Sequence, residues 1–241
     1  MDYAIKTIPE LKAICKERKM NHISGKNKQE LISLIMQQDT KPDSSILNLV
    51  KTDIKQETVE EIYTKELLKE QYKLHKSYVK GRIETTKQIG VVVRLPSIPE
   101  DISENIVKQI IHNKLNDTTS RWDCKKGDLQ SQKEGKQECK CFTSDGPLSF
   151  TPSSEWDVIY FLDARNWLNN KFILYRIPLT RTSDEWKNIK ISKTQTFEDQ
   201  RNQGRRPRIT WESLQPQIEA YVTKVYEGTF EDIFIPLAVK E

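Results

Sequence analysis

The sequence predicts an α/β fold, a mixed central sheet flanked by helices, on three observations. Residues 98–111 read as an amphipathic helix, with Ile102, Ile106, Ile110 and Ile111 on one face at helical spacing. Residues 138–142 alternate polar and apolar side chains as a half-buried strand does. Residues 156–163 are an almost unbroken apolar run, the pattern of a central strand covered on both faces. A turn at Asn169-Asn170 joins that run to an alternating hairpin partner at residues 172–177.

Length and charge set the frame for these elements. The chain has 241 residues, room for one large domain or a medium one with a small appendage. Hydrophobic residues make up 36% and mean hydropathy is -0.70, so the surface is extensive and wet. A net charge of +4 permits a nucleic-acid partner. Cys15, Cys124, Cys139 and Cys141 show no paired CxxC spacing, and the chain starts without a basic segment leading into an apolar run. Both features predict a reducing, intracellular and cytoplasmic setting without a zinc site. No apolar stretch reaches the length of a membrane span, so no membrane partner is expected.

Residues 1–38 predict a unit of their own. Thr7 is an N-cap candidate with Pro9 in the first turn, and Leu11, Ile14 and Cys15 form the apolar stripe of a short helix. A basic, glycine-containing bend at residues 24–28 leads to a second helix over residues 29–35. Leu11-Lys12, Cys15-Lys16, Arg18, Ser24-Gly25, Lys28 and Glu30-Leu31-Ile32 together resemble the SAP motif, a small DNA-binding helix-loop-helix. That resemblance implies phosphate contacts from Lys26 and Lys28, where ammonium groups and a helix N-terminus favour an anion. Residues 39–94 read as a linker followed by a charged helical region. Its apolar positions, from Leu47 to Leu74, are spaced three or four apart, and its charges nearly cancel. It is either a scaffold helix pair, an arm packed on the following domain, or a contact with a second subunit.

The chemistry concentrates in residues 95–241. In a strand, Glu138 and Lys140 share one face and Cys139 and Cys141 the other, so the first pair reads as a site and the second as core. An aspartate at the end of a neighbouring strand, Asp128, would bring a second carboxylate to the same point. Two hard oxygen ligands suit Mg²⁺, which fills its remaining positions with water and substrate phosphate. Nine residues separate Asp128 from Glu138, and Asp128-x9-Glu138-x-Lys140 resembles the D…(D/E)xK motif of the PD-(D/E)xK nucleases. Gly127 stands where that family often has proline. The resemblance implies Asp128 and Glu138 as metal ligands, Lys140 as the group that orients or deprotonates the nucleophile, and an acid on the preceding helix facing the site. Glu104 is the candidate for that last role, acting on water at the metal.

Two segments carry candidate DNA contacts. The hydroxyl-rich residues 143–154 either reach a groove with Ser144, Asp145 or Ser149, or serve only as a crossover. Arg205, Arg206 and Arg208 surround Pro207 on a stiff loop, with Arg201 before them, and offer planar donors for guanine edges or phosphates. A closing helix is expected over residues 209–226, and a last short strand or extended segment over residues 230–237. Taken together, the motif and these segments resemble a type II restriction endonuclease. That implies Mg²⁺-dependent cleavage of double-stranded DNA leaving 5′-phosphates, and a homodimer if the target is palindromic. A structure-selective or repair nuclease and a non-catalytic DNA-binding scaffold remain as alternatives.

Overall fold

The computed structural model describes residues 6–17, 25–39, 63–123 and 128–237. Cys124, Gly127 and the expected helical positions before Tyr63 lie outside them. Chain contacts divide the molecule into two units, residues 1–57 and 58–241.

Among the described residues the smaller unit has two helices, α1 (Ile8–Glu17) and α2 (Lys28–Asp39), each begun by a glutamate that accepts a backbone N–H. Glu10 accepts the Thr7 N–H at 2.7 Å, and Glu30 accepts the Asn27 N–H at 2.7 Å while Asn27 Oδ1 accepts the Glu30 N–H at 3.0 Å. These bonds, reciprocal at α2, satisfy N–H groups that a helix start leaves open. Leu11 and Cys15 of α1 meet Leu31 and Ile35 of α2 in a small, fully buried core.

The larger unit is built on a six-stranded mixed sheet. Helix α3 (Lys65–Ile89) is capped by the Thr64 side chain and ended by Gly90 in the left-handed region. It packs on α4 (Glu100–Lys114), and Leu68, Tyr72 and Val79 belong to the main core, so this helix from the charged region is part of the larger unit. Leu74, on the apolar list in the sequence, is exposed. The strands are β1 (Arg121–Trp122), β2 (Leu129–Ser131), β3 (Gly135–Phe142), β5 (Val158–Asp163), β6 (Lys171–Ile177) and β8 (Thr223–Thr229), in the spatial order β1-β2-β3-β5-β6-β8. Among the described strands only β3 and β5 pair in parallel. A separate two-stranded ribbon pairs β4 (Leu148–Ser149) with β7 (Arg208–Ile209).

Strand β5 is buried along its whole length because both faces are covered. Tyr160 and Leu162 pack with Ile102, Ile106 and Ile110 of α4. Ile159 and Phe161 pack with Phe150, Trp156 and Trp186 on the opposite face. Cys139 and Cys141 pack against the α4 side, as their alternation implied. Among the described residues no helix is long and apolar enough to cross a membrane.

Residues 209–226 do not form the expected helix. They form β7, a single helical turn α5 (Trp211–Leu214), two 3-10 turns at Gln215–Gln217 and Glu219–Tyr221, and then β8. Pro216 supplies no N–H to a helical ladder, and Val222, Thr223 and Val225 are β-branched residues that suit a strand. Tyr221, expected on an apolar face, is exposed. The tail carries a 3-10 turn at Asp232–Phe234 rather than a strand, since the Thr229 hydroxyl and N–H bond Asp232 and curl the chain. The turn expected at Asn169-Asn170 is a 3-10 turn, Trp167–Asn169, closed by Asn170 in the left-handed region.

The β2–β3 turn sets the start of β3. Gly135 has φ +72°, and a Cβ there would run into the Asp157 carboxylate, which accepts the Lys136 N–H at 2.9 Å. Gly135→Ala is therefore expected to cost about 1–3 kcal/mol, read as a lower urea midpoint at unchanged slope.

Candidate active site

Asp128 immediately precedes β2, and the Asp123 N–H donates to its carbonyl at 3.2 Å, which continues the β1–β2 pairing up to that residue. Its side chain then turns to β3. Beyond the last register pair between these strands, Leu129 with Gln137, Asp128 Oδ2 accepts the Cys139 N–H at 2.6 Å. This bond places the Asp128 carboxylate beside Glu138, because Cys139 is the next residue along β3.

Glu138 is buried, and its Oε1 lies 2.5 Å from Lys140 Nζ. The two side chains share one face of β3, two residues apart. Glu104, in the second turn of α4, completes the group from the helix side, where Trp122 Nε1 of β1 donates to Glu104 Oε2 at 2.6 Å. Trp122 is held in turn edge-on to Tyr63, with ring centroids 5.3 Å apart, and the Tyr63 hydroxyl donates to Asp101 at 3.0 Å. Sequence reasoning missed both aromatic residues, since their link to Glu104 depends on how a two-residue strand meets α4.

The electrostatics follow from crowding carboxylates in a partly dry place. Burial first, and then the Glu138 charge, push Asp128 from 3.8 up to about 6, against Lys140 and the Cys139 N–H. Burial and the Asp128 charge push Glu104 from 4.5 up to about 8, against the Trp122 donor. Burial alone would lower Lys140, but the Glu138 and Asp128 charges outweigh it and hold its pKa above the ordinary value. Lys140 is thus an ammonium at neutral pH, and Glu104 holds a proton.

Asp128, Glu138, Lys140 and Glu104 line one open cleft of about 810 Å³. Ser144 and Ser149 line it too, as do Arg94, Glu100 and Lys136, which the sequence did not single out. Asp145 faces Arg165 instead, at 2.7 Å, within a cluster where Arg165 also binds Asp163 and Glu212. Arg208 stands across the ribbon from Ser149, so the arginine segment abuts the cleft wall through the β4–β7 pairing. Arg205 and Arg206 are exposed, while Arg201 pairs with Glu198 at 3.2 Å. Lys26 and Lys28 are half-buried in the smaller unit, at and just before the start of α2.

A carboxylate whose proton affinity is raised by the charge of a second carboxylate beside it, as that of Asp128 is by Glu138, belongs to a donor set suited to a hard divalent cation, which would relieve the repulsion. Among the described residues, no group of three or more His, Cys, Asp or Glu side chains is arranged to hold a metal ion. A cation here would rest on Asp128 and Glu138, with other oxygens completing its shell.

Comparison with known proteins bears on both units. A family model described as Bsp6I restriction endonuclease matches residues 63–215, which contain the whole cleft group. Residues 2–43, where the sequence resembles the SAP motif, match a model described as Rho termination factor, N-terminal domain. A relative from Bacillus sp. (strain RFL6), the type II restriction enzyme Bsp6I, is 33% identical over 114 residues. That aligned stretch is 47% of this chain and 62% of the relative, so less than two thirds of the relative's length is spanned. No solved structure matches the chain.

Proposed function

Because the chain belongs to the Bsp6I restriction endonuclease family, we propose that it is a sequence-specific type II endonuclease that hydrolyses phosphodiester bonds in double-stranded DNA and leaves 5′-phosphates. The observation that carries this reading is the convergence of Asp128, Glu138 and Lys140 on one cleft, with Glu104 opposite.

Asp128 and Glu138 would hold Mg²⁺, which supplies charge neutralisation at the phosphate and a more acidic water when bound. The protein's own groups account for the rest. Water attacks phosphorus in line and gives up a proton to solvent while the bond to the 3′-oxygen breaks, and that oxygen leaves with a proton. Lys140, an ammonium held against Glu138, offers a fixed positive charge and donor to the developing phosphoryl charge. It acts by orientation and charge rather than by taking a proton, since its pKa is raised. Glu104 carries a proton at neutral pH in the protein alone and can place it at an oxygen within the cleft.

Sequence reading falls to the cleft wall and the ribbon. A two-stranded ribbon fits the major groove, and Arg208 lies beside Ser149 on it, with Arg205 and Arg206 exposed on the preceding loop. A palindromic target would require two copies of the chain, one per strand. The smaller unit would add affinity that does not depend on sequence, through Lys26 and Lys28. Lys26→Ala combined with Lys28→Ala is expected to weaken duplex binding and to reduce the slope of log affinity against log salt by about 2, at roughly 0.9 per phosphate contact. Fluorescence anisotropy over a salt series checks it.

The deciding experiment incubates the purified protein with a fully sequenced, unmodified plasmid in Mg²⁺ or EDTA, and sequences the fragment ends. Discrete Mg²⁺-dependent fragments with 5′-phosphates and one shared short sequence are expected. A smear or random nicks would instead indicate a structure-selective nuclease, and binding without cutting would indicate a scaffold.

A further inference from the structure

One face of α3 carries Lys65, Lys69, Lys73, Lys76 and Lys80, spaced four, four, three and four residues apart, so that they form a single stripe along the helix. Like charges at these spacings destabilise a helix, and no salt bridge among the described residues relieves any of the five. Lys69, Lys73, Lys76 and Lys80 line a groove of about 550 Å³, in which Glu231 is the acid. Burial, and then the neighbouring Lys80, lower the pKa of Lys76 despite Glu231. Lys76 donates to Asn170 Oδ1, and Lys65 and Lys69 lie over the Phe234 ring, but no carboxylate forms a salt bridge with the stripe among the described residues, and such a concentration of positive charge fits a polyanion.

The groove floor narrows the class of polyanion. Tyr72, Phe230 and Phe234 are all buried, and Tyr72 stacks on Phe230 with ring centroids 3.9 Å apart. Phe234 lies beneath the Lys69 ammonium at 4.6 Å and edge-on to Phe230. No open ring face is left on these residues for an unpaired base, which single-strand binding uses as a platform. The stripe from Lys65 to Lys80 is about 22 Å long at 1.5 Å per residue. A duplex presents one phosphate charge per roughly 1.7 Å of its axis, a continuous array that a straight row of ammonium groups can follow. None of the five lysines lines the cleft that holds Asp128, Glu138 and Lys140.

We propose that the lysine face of α3 binds the phosphate backbone of duplex DNA outside the cleft, on the flank of the bound site. The inference rests on the reading of the protein as a DNA endonuclease and adds a second contact surface to it. The contact is independent of base sequence. It acts on long DNA and is absent with a duplex no longer than the cleft covers.

The test uses the full chain and two fluorescein-labelled duplexes of arbitrary sequence, one trimmed to the cleft and one extending past it on both sides. Lys73→Gln with Lys80→Gln removes two exposed charges, and adding Lys69→Gln and Lys76→Gln removes four. On the long duplex the salt slope should fall by about 2 for the double variant, at roughly 0.9 per contact, and by more for the quadruple. On the trimmed duplex it should not change. A wild-type protein that cleaves DNA, with slopes on the long duplex unchanged in both variants, would overturn this inference alone. Equal losses on both duplexes would also overturn it, by placing the lysines on cleft-bound DNA. A wild-type protein that neither binds nor cuts DNA would instead overturn the endonuclease reading, and this surface with it.

Discussion

Lys140→Ala is expected to slow cleavage by about 10²–10⁴-fold at saturating protein, with duplex affinity changed by less than about tenfold. The asymmetry follows from where the charge sits. Lys140 Nζ is 2.5 Å from Glu138 inside the cleft, so it acts on one phosphate among the many that bind the duplex. Truncation also leaves Glu138 without its partner, and breaking a fully buried pair costs about 3–5 kcal/mol. The cost here is smaller, since the Lys140 side chain is 19% exposed and opens onto the cleft. Lys140→Arg separates the two effects. It keeps a cation beside Glu138 and should melt near the wild-type temperature, yet a planar guanidinium cannot present the same compact donor. Single-turnover rates and melting curves of both variants decide the matter. Wild-type cutting by Lys140→Ala would remove this residue from the reaction.

The parts of the fold legible in the sequence are those with enough residues to show a period. α4 repeats its isoleucines over nearly three turns, β3 alternates Glu138 and Lys140 with two cysteines, and β5 is apolar up to Asp163. β1, β4 and β7 have two residues each, too few to show alternation. The ribbon that sets Arg208 against Ser149 was invisible for that reason. The misread stretch from Ile209 to Tyr226 shows a second limit. Trp211, Leu214 and Ile218 are spaced like a helix face and are all buried, but a chain of short turns can bury them equally well. Pro216 and the β-branched residues after it were the signals for that outcome.

The candidate site was legible for the same local reason and only as far. Asp128, Glu138 and Lys140 fall within thirteen residues of sequence, on strands joined by a short turn. Glu104 could be proposed only from its helix. The Trp122 donor that fixes it and the Arg165 cluster that draws Asp145 away from the cleft depend on tertiary register, for which the sequence holds no spacing rule.

Asp128→Asn is expected to abolish cleavage while making the metal-free protein more stable at pH 8, by about 1–3 kcal/mol. The sign follows from the raised pKa. Asp128 titrates near 3.8 when unfolded and about 6 when folded, because burial and Glu138 disfavour its charge. The folded state therefore holds this proton more tightly. The stability it contributes is complete below pH 4 and is lost as pH rises through 6. Glu104 behaves alike over a wider window, from 4.5 to about 8. Asparagine removes the charge and keeps a carbonyl oxygen for the Cys139 N–H, so the contact with β3 survives. Asp199 and Asp232, held low by donors from Thr196 and Thr229, run in the opposite sense, but equally in both proteins. The difference between variant and wild type thus reports Asp128 together with the part of the Glu104 and Lys140 shifts that its charge causes. Mg²⁺ should raise the wild-type melting temperature more at pH 8 than at pH 5, where protons compete for the carboxylates, and should do little for Asp128→Asn. Urea denaturation and thermal melting at both pH values, in EDTA and in Mg²⁺, measure all of this. A variant less stable than wild type at pH 8, with equal Mg²⁺ shifts in both proteins, would show that Asp128 serves the fold rather than a cation.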